Sequence, residues 1–288
     1  MITRQIRSYT KVDAPPKHQK ALPPEVYRQT LRNATQPREQ ARAQQLGASV
    51  FFCMRSCEYS KTPRKEQKTR TLRPCDITFR VGGREIPHDH PDLHLALTVT
   101  CTFGEQKTDI QDEPITQGRT GDPDLCPVTL WAKVIQRLRS YPNYNDEWPV
   151  YTYFDGKRFS NISSSEYLAD IRIAVDIIGK DVLGFTSAEV GTHSNRSGGA
   201  MMMYLAKTPP YTIMMQGRWH SNAFLRYIEK QVLEFSQGVA RKMLLRNTFF
   251  NVPLRPWTDT DPQQHSRSAS QYRAHALREH STFWPAPR

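Results

Sequence analysis

No stretch of the 288 residues approaches the roughly 20 consecutive apolar side chains that a membrane-crossing helix requires, so a membrane protein of helical type is excluded. Met1 to Lys20 mixes charges with prolines where a secretion signal needs an apolar core. Cysteine is scarce and odd in number: Cys53, Cys57, Cys75, Cys101 and Cys126. Several lie in apolar surroundings, which argues against a disulfide framework and for buried thiols in a reducing, intracellular compartment. Acidic residues are in deficit, 28 against 40 Lys and Arg, leaving a formal charge of +12. Such a field attracts polyanions and speaks to partners rather than to fold. No internal repeat is present. Apolar residues make up 38% of the chain, too many for wholesale disorder and enough for one sizeable core.

The pattern along the chain predicts an α+β protein, mainly helical, with a small three- to four-stranded antiparallel sheet. Residues 1–21, with Pro15-Pro16, read as a flexible arm. From Leu22 the spacing of Val26, Tyr27 and Leu31 predicts a helix to Ala34. A second helix is expected from Pro37 to about Glu58, its far half apolar through Leu46, Val50, Phe51, Phe52 and Met54. Alternation over Asp76 to Val81, the turn pair Gly82-Gly83, a strand from Leu95 to Phe103 and a partner from Lys107 to Thr116 make the sheet. Pro127 opens a helix to Ser140, and a short hairpin surrounds Asp155-Gly156. Ser163-x-x-Glu166 has capping-box spacing ahead of the stripe Leu168, Ile171, Val175 and Ile178, which stops at Gly179. Further helices are expected at His193 to Ala206, Pro210 to Gln216 and Ser221 to about Leu245. Residues 247–288 lack periodicity and read as a disordered tail.

Three segments carry chemistry. In Gly191-Thr192-His193-Ser194-Asn195-Arg196, helical spacing puts a proton carrier and a cation on one face, as a phosphate site needs; the plainer alternative is a polar helix start. In Gly217-Arg218-Trp219-His220, a helix end gives way to an aromatic, and a later helical face delivers Tyr227, which alone would be a packing tyrosine. Arg55, near the end of an apolar segment, has Glu58 within reach, either as a structural pair or as part of a site. His88, His90 and His94 beside Asp89 and Asp92 are irregularly spaced around Pro87 and Pro91, which favours a solvated loop over a metal centre. No metal or cofactor is expected.

In this order, Arg55 with Glu58, Lys107 at a hairpin turn, His193 with Arg196, Trp219 after Gly217, and Tyr227 on a late helix, the chain resembles the catalytic domain of the tyrosine recombinases, the phage-integrase family, over residues 22–246. The resemblance is nearest to recombinases of eukaryotic Crypton-like mobile elements. It implies a DNA strand transferase that cleaves and rejoins duplex DNA through a 3′-phosphotyrosine, without metal, as a homotetramer on DNA, in the nucleus of a eukaryotic host. Tyr227 would be the nucleophile, Arg55 and Arg196 the phosphate clamp, Lys107 and His193 the proton carriers, and Glu58 the support of Arg55. Either Trp219 or His220 would fill the His-or-Trp position. Arg64, Lys65, Lys68, Arg70 and Arg218 would grip backbone phosphates. The family's separate N-terminal core-binding domain is expected to be absent. The alternative reading is a domesticated, catalytically inactive DNA-binding protein.

Overall fold

The computed structural model describes residues 19–63, 69–104 and 112–219. These fall in two compact units, Met1–Gly199 and Ala200–Arg288. Most of the arm, the basic residues Arg64, Lys65 and Lys68, the hairpin lysine Lys107, His220, Tyr227, the helix expected from Ser221 and the tail lie outside the described residues.

In the first unit, α1 (Pro24–Asn33) starts on a proline at its first turn and buries Val26, Tyr27 and Thr30. Helix α2 (Pro37–Ser49) also opens on proline, and the Glu39 carboxylate accepts from the Thr35 and Gln36 amides at 3.0 Å each. The expected continuation of α2 to Glu58 does not occur. After Ser49 one 3₁₀ turn, Val50–Phe52, leads to Cys53 in the left-handed region (φ 45°, ψ 44°), and the chain runs extended through Arg55 before a one-turn helix, α3 (Ser56–Tyr59). Apolar spacing continued across this break because Phe52, Cys53 and Met54 are all core residues, whichever backbone presents them.

The sheet contains β1 (Ile77–Val81), β2 (Arg84–Ile86), β3 (Thr98–Phe103) and β4 (Glu113–Gly118), in the order β2-β1-β3-β4 and antiparallel throughout. Val81 pairs with Arg84 across Gly82 and Gly83, both at positive φ, as a two-residue hairpin demands. Leu95 is not in β3: Leu93–Leu95 form a 3₁₀ turn and the strand starts at Thr98. Phe79, Val99, Cys101 and Phe103 are buried. Helix α4 (Pro127–Arg139) covers the sheet with Trp131, whose ring stands edge-on to Phe52 at 6.4 Å, and Phe52 in turn meets Phe103 at 6.4 Å. On its other side α4 packs against α2, where a Cβ on Gly47 would lie 3.1 Å from Leu130 Cδ1.

A small hairpin, β5 (Thr152–Phe154) with β6 (Phe159–Asn161), precedes α5 (Ser164–Ile178). Ser163 and Glu166 form the expected capping box, and Gly179 ends the helix at φ 87°. The buried stripe of α5 is Tyr167, Ile171, Ala174 and Val175, with Leu168 and Ile178 only half-buried. A short α6 (Lys180–Leu183) follows, and α7 (Ser194–Leu205) begins in this unit. Of the cysteines expected to be buried, Cys53, Cys101 and Cys126 are, whereas Cys75 is exposed.

The second unit holds the end of α7 and α8 (Pro210–Gly217). Ala200 and Ile213 are its buried centre, with Met203, Tyr204, Met214 and Trp219 packed on them.

Helices α2 and α5 are tied by charge. Arg38 Nε donates to Glu166 Oε1 at 2.8 Å, and Arg42 pairs with Asp170. Burial pushes the Glu166 carboxyl up, but the Arg38 guanidinium, the Ser163 amide and the Ser163 hydroxyl outweigh it and hold the group at about 2. A carboxyl depressed on folding stabilises the protein above its unfolded value and loses that contribution as pH falls toward the folded one. The pair is about a third exposed, so screening reduces its worth. Glu166→Gln is expected to lower the thermal midpoint near neutral pH by about 2–4 °C and to leave it nearly unchanged close to pH 2. An equal fall at both pH values would show that the carboxylate charge is not what matters.

Candidate active site

The Cys53 turn organises the site. Because Cys53 is left-handed and Arg55 extended (φ −74°, ψ 148°), Arg55 stands at the N-cap of α3 rather than along a helix. Glu58, three residues on, closes that cap: its Oε2 accepts from the Arg55 amide at 2.8 Å, and its Oε1 accepts from Arg55 Nη1 at 2.9 Å. One carboxylate therefore fixes both the backbone and the guanidinium of Arg55. Glu58 is 1% exposed while Arg55 is 22% exposed, so the acid is sealed beneath an arginine that still meets solvent. Burial, with the Glu58 charge beside it, pushes the neighbouring Cys57 thiol up, which disfavours a thiolate there.

Arg196 arrives from 143 residues downstream. Its Nη1 donates to the Cys53 carbonyl, two residues ahead of Arg55, and its side chain is buried. A second arginine is thereby anchored on the same turn that presents the first. Helix α7 can come this close because its early residues are small. A Cβ on Gly198 would lie 2.7 Å from the Leu22 carbonyl, and one on Gly199 would lie 2.5 Å from the Val50 carbonyl and 2.7 Å from Cys53 Sγ. His193 immediately precedes α7 and is exposed. Its amide donates to Gln19 Oε1 at 2.8 Å, and its carbonyl accepts from the Ser197 amide and hydroxyl at 3.0 Å each.

Arg55, Glu58 and Arg196 thus share one turn, with His193 at the head of the helix that carries Arg196. Arg70 stands in a different cluster. Its Nη2 donates to Asp76 Oδ1 at 2.8 Å, and its guanidinium lies against the backbone of Gly104, where a Cβ would come 2.2 Å from Nε. Arg73 pairs with the same Asp76 at 3.1 Å. In the second unit, Arg218 is left-handed (φ 56°, ψ 47°) and buried. Trp219 then folds back so that its amide reaches the Met214 carbonyl at 2.8 Å and its ring covers Gly217, where a Cβ would collide with Cζ3. This explains why glycine stands two residues before the tryptophan. His88 Nε2 lies 2.7 Å from the Ile77 carbonyl and His90 Nδ1 accepts from the Asp92 amide, and no metal-ligating cluster of three or more His, Cys, Asp or Glu occurs among the described residues.

No protein-family model and no curated protein matches the sequence. Solved structures do match the fold. XerH site-specific recombinase bound to difH substrate, a pre-cleavage complex, is 15% identical with a TM-score of 0.46, covering 74% of this chain and 50% of that one. XerH bound to palindromic difH substrate, a post-cleavage complex, is 16% identical with a TM-score of 0.50, covering 78% and 54%. This is the tyrosine-recombinase catalytic fold. The chain spans about half the length of the XerH chains it matches. Within this recombinase fold, the sequence reading missed two things: that Arg55 is an N-cap rather than a helix residue, and that the carbonyl of Cys53 is what receives Arg196. The Arg55-x-x-Glu58 spacing suits a capping box as well as a helix face, and it was the only signal for the first. Nothing in residue type marks the second.

The seat of α7 has a measurable consequence. Gly199→Ala is expected to cost about 1–3 kcal/mol in urea denaturation, because the new methyl meets a backbone carbonyl that cannot rotate away. An unchanged midpoint would mean that α7 is not held at this distance.

Proposed function

We propose that this chain is a DNA strand transferase of the tyrosine-recombinase type, acting on duplex DNA as a site-specific recombinase or integrase. What supports the reading is the convergence of Arg55 and Arg196 on the Cys53 turn, within a recombinase catalytic fold. Two forked cations there suit the nonbridging oxygens of one phosphodiester, where charge accumulates during transfer.

Tyr227 Oη attacks phosphorus and the bond to the 5′ oxygen breaks, leaving a 3′-phosphotyrosine. Lys107 protonates the departing 5′ oxygen, and His193 takes the tyrosine proton. A second 5′ hydroxyl reverses the step on another strand, so the phosphodiester energy is retained and no nucleotide triphosphate is consumed. Trp219 or His220 donates to the phosphate, while Arg64, Lys65, Lys68 and Arg70 hold flanking phosphates; Arg218, 1% exposed, is left out of that set because a buried guanidinium does not reach a DNA backbone. The likeness to Crypton-like elements, a tetramer on DNA, nuclear residence and origin in a mobile element belong to the same proposal and rest on motif order.

The test uses a pool of nicked duplexes of randomised sequence, with covalent protein–DNA adducts read on a denaturing gel. The wild-type chain is expected to form an adduct and Tyr227→Phe none. Adducts with both would move the nucleophile elsewhere; none with either, where DNA is bound, would favour the inactive DNA-binding protein. Arg55→Ala and Arg196→Ala are expected to lower adduct formation about 100- to 1000-fold with far smaller losses in binding. Lysine at either position is not expected to restore it fully, since the fork is lost. Equal losses in cleavage and binding would reduce these arginines to DNA positioning.

A further inference from the structure

Between His193 and Arg196 lies a residue to which the mechanism above gives no part. Asn195 is 1% exposed, an unusual place for a carboxamide, and each of its polar atoms is engaged by a different element. Its Oδ1 accepts from Tyr27 Oη of α1 at 3.1 Å, and its Nδ2 donates to Ser49 Oγ at the end of α2 at 3.0 Å. It also shares a side-chain hydrogen bond with the hydroxyl of Tyr59, the last residue of α3. The orientation of the amide is dictated by its surroundings. Ser49 Oγ gives its own proton to the Leu46 carbonyl at 2.8 Å, so toward Asn195 it can only accept, and the amide nitrogen must face it.

The same serine lies four residues before Cys53, whose carbonyl receives Arg196, and Tyr59 directly follows Glu58, which holds Arg55. Asn195 therefore ties the first turn of α7 to both ends of the segment that carries the other arginine. Small displacements of a phosphate clamp are costly, because the forked donors match the oxygens over a narrow range of position.

We infer that Asn195 is a positioning residue: its buried carboxamide sets the separation of Arg196 from Arg55 and so tunes the clamp for the transition state rather than for DNA binding. This rests on the recombinase reading proposed above.

The test compares Tyr27→Phe, Ser49→Ala and Asn195→Ala in the full chain with Tyr167→Phe. Tyr167 Oη donates to Gln45 Oε1 at 2.9 Å in the same buried core and its ring meets Tyr59 at 5.2 Å, so its loss loosens the packing without removing a partner of Asn195. Three quantities are read on the nicked-duplex pool: DNA affinity, single-turnover adduct formation at saturating DNA, and the thermal midpoint. The Asn195-facing variants are expected to lose about tenfold or more in adduct formation, with affinity within about twofold of wild type. Tyr167→Phe is expected to lower the midpoint comparably and to keep wild-type cleavage well below it. Should Asn195→Ala fail to fold, Tyr27→Phe and Ser49→Ala decide. The inference is overturned if cleavage follows the thermal midpoint across all four variants, or if affinity falls in step with cleavage. If the wild-type chain itself forms no adduct, the recombinase reading falls and this one with it; normal cleavage by the Asn195-facing variants removes this one alone.

Discussion

One residue in a left-handed conformation governs this molecule. With Cys53 at φ 45°, the 3₁₀ turn that continues α2 stops, the carbonyl of Cys53 turns toward the arriving α7, and the backbone leaves extended so that Arg55 becomes a cap. A non-glycine residue there costs on the order of 1 kcal/mol and persists because its surroundings over-determine it. Those surroundings are visible: Cys53 is fully buried, Gly199 rests on its sulfur, and Arg196 occupies its carbonyl. The strain and the site share the same atoms.

The electrostatic design around that turn is asymmetric. Arg55 is neutralised by a carboxylate that is itself hidden from water, whereas Arg196 is held by a neutral backbone carbonyl. A carbonyl orients a guanidinium without itself cancelling its charge. Glu58 keeps Arg55 in place at the expense of part of its potential. Farther away, Arg70, Arg73 and Asp76 repeat the theme beneath the end of β3, where Gly104 admits the Arg70 guanidinium against the backbone.

Much of this was legible before any coordinates. Prolines at first turns marked α1, α2 and α4, Ser163-x-x-Glu166 marked α5, and Gly82-Gly83 marked the first hairpin, because each of these signals is a local backbone requirement that few other residues satisfy. The pairing of Arg55 with Glu58 was legible from their spacing, and the structure adds that Arg196 meets the same turn. The break at Cys53 was not, since Val50 to Met54 are apolar whether helical or not, and burial leaves no period when a turn is buried on every side. Asn195 was equally silent. A carboxamide in a polar motif looks solvent-facing until three separate elements are seen to enclose it.

The two halves of the arginine pair differ in how the chain must travel to make them. Arg55 finds Glu58 within a single turn, whereas Arg196 must close a loop of 143 residues to find Cys53. Closing a short loop costs less chain entropy than closing a long one. The first contact needs only one turn of chain, whereas the second needs α7 docked against the Cys53 turn. The meeting of the two arginines is therefore a property of the folded first unit and of no shorter piece of it, since it needs residues 53 to 59 and α7 in place together.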